Sequence, residues 1–169
     1  MAQREMTDRL ALVALVDNLI VAIDAAQVFQ IRRAAELMSR QVDQNLYALE
    51  LDHQRIPGWD LGNLFKLGTC TNAWVIMDVE LDKRNQRIAL RVGRCIAVIR
   101  LPKCYALPPG VLASRTGAVS SAFSTTKLVE VAEIGPAGVV LDATRLLAAS
   151  ELEAASRVGA RTEVREIPT

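Results

Sequence analysis

Catalysis by this chain would have to be assembled from very few groups. His53 is the single histidine, so any Ser/His/Asp or Cys/His nucleophilic site must use it. It sits between Asp52 and Gln54, flanked by strand-like stretches, which is the setting of a surface turn. Cys70, Cys95 and Cys104 are odd in number and never two residues apart. That spacing argues against a disulfide framework, a zinc knuckle or a redox pair. Cys104 has no base beside it to lower its pKa, and Cys95 lies in an apolar run.

The other chemistry-bearing patterns are equally bare. Carboxylate pairs would be Asp78/Glu80, Asp52/Asp60 or Glu130/Glu133, and Asp78 and Glu80 share one face of a strand-like run, ordinarily the solvated face. Gly58, Gly62 and Gly68 fit no phosphate-cradling pattern. Arg32-Arg33 and Arg84, Arg87, Arg91 and Arg94 read as local solvated basic spots. Trp59 and Trp74 suit either a partner-facing anchor or the core. The residues point to no catalytic, metal or cofactor site.

The elements that would hold any site must be built from aliphatic side chains. The 169 residues are 51% apolar, 23% charged and 4% aromatic. Twenty basic residues against 19 acidic ones give a net charge of +1, too little for a general grip on nucleic acid or an acidic membrane. The acid-bearing start is unlike a signal peptide, and the apolar window from Leu10 to Ile23 is broken by Asp17-Asn18. A spanning helix needs about 20 apolar residues. A soluble, cytoplasmic protein without direct membrane insertion is the expectation.

Leu10–Val16 and Leu19–Ile23 read as a hairpin turned by Asp17-Asn18, followed by a strand from Val28 to Arg32. Residues 34–48 read as a short helix or exposed connection, and Pro57-Gly58 as the end of an edge strand. Asp60 can cap a helix from Leu61 to Leu67, and residues 69–72 suit a linker. Strands follow at Ala73–Leu81, Arg87–Val92 and Cys95–Ile99. Residues 102–116 are loop-rich, and further strands fall at Ala118–Phe123, Leu128–Ile134 and Val139–Leu141. Asp142 can cap Ala143–Leu147, and Ser150 with Glu153 has capping-box spacing for a last helix.

A faint repeat links the halves. An offset of 68 sets Ile20 on Ile88, Val28 on Ile96, Ile31 on Ile99 and Arg32 on Arg100. An offset of 82 sets Asp60 on Asp142, Leu64 on Leu146 and Phe65 on Leu147. Two copies of a small barrel would give that order and would remove free sheet edges.

Taken in order, these segments resemble the CheW family of chemotaxis coupling proteins. The carboxyl end, Val139 to Leu152, is similar to the family's closing strand, Asp-Leu, short helix and Ser-x-Glu-Glu. Leu49 to Leu61 looks like its Ile-Asn-Leu-Arg-Gly-x-Val-Ile-Pro-Val-Val-Asp-Leu. Arg87 to Leu101 matches the strand–turn–strand that opens its second half. The resemblance implies a mainly β fold: two packed five-stranded SH3-like β-barrels with short helices and a C-terminal helix. It places a CheW-like domain at 9–152, its halves at about 9–68 and 72–147. Residues 1–8 would be an N-terminal extension, and residues 151–169 a helix and polar tail.

It also implies a non-catalytic adaptor that couples a chemoreceptor signalling tip to the regulatory domain of a CheA-type histidine kinase. Ile31, Arg32, Glu50, Asp52, His53 and Trp59 would bind partners. A homodimer through strand edges is compatible with the pattern. Departures are local. Glu50-Leu51-Asp52-His53 stands where the family has Asn-Leu-Arg-Gly, Gly58-Trp59 replaces Val-Val, and residues 34–47 lack the family's prolines. Asp52 reverses the charge of an arginine that contributes to receptor contact, and His53 replaces a turn glycine, suggesting a changed backbone path. Charge reversal alters partner choice, so an alternative is a CheW-like scaffold whose re-specified groove binds another cytoplasmic protein.

Overall fold

The computed structural model describes residues 9–81, 83–108, 118–147 and 153–158. The N-terminal extension 1–8, the capping-box residues 150–152 and the polar tail from 159 lie outside the described residues. The chain is mainly β, in two packed six-stranded sheets. The strands are β1 (Leu10–Val16), β2 (Leu19–Asp24), β3 (Val28–Arg33), β4 (Met38–Gln41), β5 (Leu46–Leu51) and β6 (Gln54–Asp60). After helix α1 (Leu61–Leu64) come β7 (Ala73–Leu81), β8 (Arg84–Val92), β9 (Arg94–Arg100), β10 (Cys104–Ala106), β11 (Val119–Ser124) and β12 (Ala137–Leu141). Residues 153–158 form helix α2.

The two sheets repeat one topology. The first runs β10-β11-β12-β2-β1-β9 and the second β4-β5-β6-β8-β7-β3. In each, a hairpin (β1–β2 or β7–β8) is joined in parallel to the last strand of a meander, β12 on β2 and β6 on β8. The sheets do not follow the 9–68 and 72–147 division. The first takes its hairpin from residues 10–24 and the rest from 94–141, while the second is built from 28–92.

Apolar packing lies in three layers. Leu12, Val16, Val21 and Ile23 meet Trp59, Val75, Met77 and Leu90 between the sheets. Val13, Ile20, Ile99 and Phe123 pack on the other side of the first sheet, and Leu49, Ile56, Trp74 and Ile76 on the other side of the second. The offset of 68 is therefore out of phase, because Ile20 packs outside the sheet interface and Ile88 within it. An odd slip flips every side chain to the opposite face. The offset of 82 holds: Asp60 and Asp142 both cap, and Leu64, Phe65, Leu146 and Leu147 all join the central layer.

Six strands per sheet stand where five were expected. The additional strands, β4 and β10, occupy the same outer position in their sheets and fall where the sequence suggested a helix or loop. Every β4 residue is exposed, so no alternation of buried apolar residues marks it. Conversely, Leu128–Ile134 is not a strand but a run of helical turns, with Leu128 N bonded to Thr125 O at 2.9 Å and Ala132 N to Leu128 O at 2.8 Å. Leu128, Val131 and Ile134 turn inward at every third position, while Val129 is 87% exposed. Pro57 is not at a sheet edge. It faces Ala48 of β5, and the β6–β8 ladder begins one residue later at Gly58↔Ala89, so its missing amide falls outside that ladder.

Candidate functional site

The outermost strand of the second sheet, β3, turns two large apolar residues outward. Phe29 is 49% and Ile31 43% exposed, while Val28, Gln30 and Arg32 are partly covered. Among the described residues β3 pairs with β7 alone, which leaves its other backbone edge open there. Exposed apolar groups on an open edge are the informative exception on a soluble surface.

Arg87 of β8 ties this strand to its neighbours. Its guanidinium lies 3.7 Å from the centroid of the Phe29 ring, a cation–π geometry. It also grips Asp78 of β7 with two bonds, Nε to Oδ1 at 2.8 Å and Nη2 to Oδ2 at 3.1 Å. That hydrogen bond holds the Asp78 carboxyl below its ordinary value and raises Arg87, to which the charge of Asp52 adds.

Asp52 and His53 form the two-residue turn between β5 and β6, with Leu51 opposite Gln54. Both residues take left-handed backbone angles, φ 50° and 66°. This is the primed hairpin geometry that favours glycine at its second position. His53 therefore stands, as a histidine, where such a tight turn ordinarily takes glycine.

The six sequence-derived residues separate. Ile31 and the Asp52–His53 turn lie around the Phe29–Arg87–Asp78 group. Arg32 bonds along its own chain to Glu36, Nε to Oε2 at 3.4 Å. Glu50 is exposed, opposite Met38 and Arg55, and lines a separate shallow hollow with Met38, Arg40 and Arg55. Trp59 is a correction: only 1% of it is exposed, its ring fills the layer between the sheets, and no partner can touch it. Trp74 is likewise fully buried. The residues missed were Phe29 and Arg87. Their signal was an alternation that sets Phe29, Ile31 and Arg33 on one face, apolar where a solvated strand would be polar.

A second polar group is internal. Asp60 is fully buried and caps α1, its Oδ1 accepting from Asn63 N at 3.1 Å. Its Oδ2 accepts from Cys70 N at 3.0 Å and from Arg91 Nη2 and Nε at 2.9 and 3.0 Å. Arg91 also donates to the Tyr47 hydroxyl and lies over the Tyr47 and Trp74 rings. Arg91 is thus no solvated spot; it ties β8 to β5 and β6, and through Asp60 to residue 70 of the following loop.

The three thiols are not activated as nucleophiles. Burial pushes the thiols of Cys70, Cys95 and Cys104 above their ordinary value. Among the described residues no group of three or more His, Cys, Asp or Glu could hold a metal ion, and no helix is long and apolar enough to cross a membrane.

No protein-family model matches this sequence, and neither does any curated protein. Its fold does match a solved structure, the scaffolding protein TtCheW from Thermoanaerobacter tengcongensis. The TM-score is 0.63 at 15% identity, over 82% of this chain and 92% of that one. The twin six-stranded sheets, joined by their exchanged hairpins, make this chain CheW-like in fold.

Proposed function

We propose that the chain is a non-catalytic, cytoplasmic CheW-like adaptor. It links a chemoreceptor signalling tip to the regulatory domain of a CheA-type histidine kinase in chemotaxis or motility signalling. The observation that carries this reading is the outward pair Phe29–Ile31 on an open strand edge, backed by Arg87. An apolar edge with a few fixed charges suits a partner helix or a neighbouring barrel and offers no reacting group. Asp52 puts an exposed acid in the β5–β6 turn, which favours a variation in which that turn selects a partner with a basic rather than an acidic contact.

Titration calorimetry of the purified full chain with a CheA-type regulatory domain and, separately, a receptor hairpin tests this. Binding to either, weakened about tenfold or more by Phe29→Ala with Ile31→Ala, is the expected result. Silence with both partners contradicts the reading. Asp52→Arg separates the two versions: a gain in receptor affinity favours the receptor-coupling adaptor, and no gain favours another cytoplasmic partner.

A further inference from the structure

The repeat supplies a template that one sheet fills and the other leaves open. In the second sheet the parallel ladder β6–β8 ends on Asp60 opposite Arg91. Asp60 uses Oδ1 to cap α1 and gives Oδ2 to the guanidinium. In the first sheet the matching ladder runs Val139↔Val21 and Val140↔Ala22. Carried two residues further, that register sets Asp142 opposite Asp24. Among the described residues no single arginine bridges the two carboxylates; the place belongs to a hollow of about 290 Å³ whose walls include Arg9, Leu10, Ile23, Leu141 and both aspartates.

The acceptor pattern is also repeated. Asp24 Oδ1 accepts from Ala26 N at 3.0 Å and Asp142 Oδ1 from Thr144 N at 3.0 Å, so each caps a short 3-10 turn. Among the described residues each Oδ2 meets a long ion pair, half-buried Asp24 with Arg9 and exposed Asp142 with Arg145, both at 3.7 Å. Such pairs contribute little and exchange readily. The walls are mostly aliphatic and Leu10 is 54% exposed. The volume is at the lower end of ligand clefts, about 300 Å³, which suits one long side chain better than a drug-sized molecule.

We propose that this hollow receives an arginine side chain of a partner protein, its stem on Leu10, Ile23 and Leu141 and its guanidinium on Asp24 and Asp142. The site is on the first sheet and does not depend on the β3 edge. It fixes a contact that either version of the adaptor could use.

The test is amide NMR of the full chain titrated with N-acetyl-arginine amide and with its neutral isostere, N-acetyl-citrulline amide. The arginine probe is expected to shift Leu10, Ile23, Leu141 and Asp142 and to saturate in the low-millimolar range expected of about 15 heavy atoms. Citrulline should bind about tenfold more weakly. Asp24→Asn with Asp142→Asn keeps both caps, because asparagine caps as well as aspartate, yet should weaken arginine binding by about the same factor with the melting temperature unchanged. Equal response to the two probes, shifts confined elsewhere or no response overturns the proposal. A response that emerges only in Arg9→Gln would assign the hollow to the chain's own arginine, which pairs with Asp24, and overturn the partner reading as well.

Discussion

The two sheets share strand order, parallel joint and capping aspartate, yet they use the aspartate differently. Asp60 is fully buried and serves an amide on each side of its cap plus a guanidinium. Asp142 is exposed, caps one short turn and meets Arg145 at 3.7 Å. The same residue at the same topological point is a structural clamp in one sheet and a surface cap in the other. What decides the difference is the facing strand, which carries Arg91 in β8 and Asp24 at the end of β2. Position in a repeated fold sets where a group sits, and its cross-strand neighbour sets what it does.

The comparison can be broken most forcefully at Asp60. Asp60→Ala leaves Arg91 partly buried without its anion and two amides unserved, and should cost about 3–5 kcal/mol in urea denaturation. A closely packed glycine in each sheet comes next. A Cβ on Gly58 would lie 2.5 Å from Leu49 Cδ1 and 2.9 Å from the Trp74 ring. On Gly138 it would lie 2.6 Å from Phe123 Cζ and 2.9 Å from Ile20 Cγ2. Gly58→Ala and Gly138→Ala should each cost about 1–3 kcal/mol by overpacking, and near-equal losses would show that the sheets are equivalent where packing alone decides. Asp142→Ala removes only an exposed cap and should cost about 1 kcal/mol. A loss as large as that of Asp60→Ala would remove the distinction between the caps. His53→Gly relieves a left-handed histidine and should raise stability by about 0.5–1 kcal/mol, read as a higher urea midpoint.

Much of this architecture was written in local pattern. The continuous apolar runs of β1 and β2 and the Asp17 turn specify a hairpin, and each capping aspartate marks the end of its parallel strand. β4 and β10 escaped because these two short outer strands bury too little to impose a period of two. Leu128–Ile134 misled because β-branched composition outweighed its inward spacing of three. The exchange of hairpins between sheets was invisible, since pairing partners some 80 to 120 residues apart leave no local trace. At the site, Ile31 and the Asp52–His53 turn were readable as surface features. Trp59 was not, because nothing local tells a buried indole from a docking one. Arg87 and Arg91 looked alike in sequence and differ only through Asp78 and Asp60, which the sheet brings to them.

On the proposed reading, proteins dock on the second sheet at β3 and not at its counterpart β9, equally an outermost strand. A photo-crosslinking side chain at Ile31 and, in a separate variant, at exposed Val98 tests it directly in the presence of a CheA-type regulatory domain and a receptor hairpin. Crosslinks to one of these partners from position 31 and none from position 98 are the predicted result. Equal capture from both edges, or capture from position 98 alone, would contradict it.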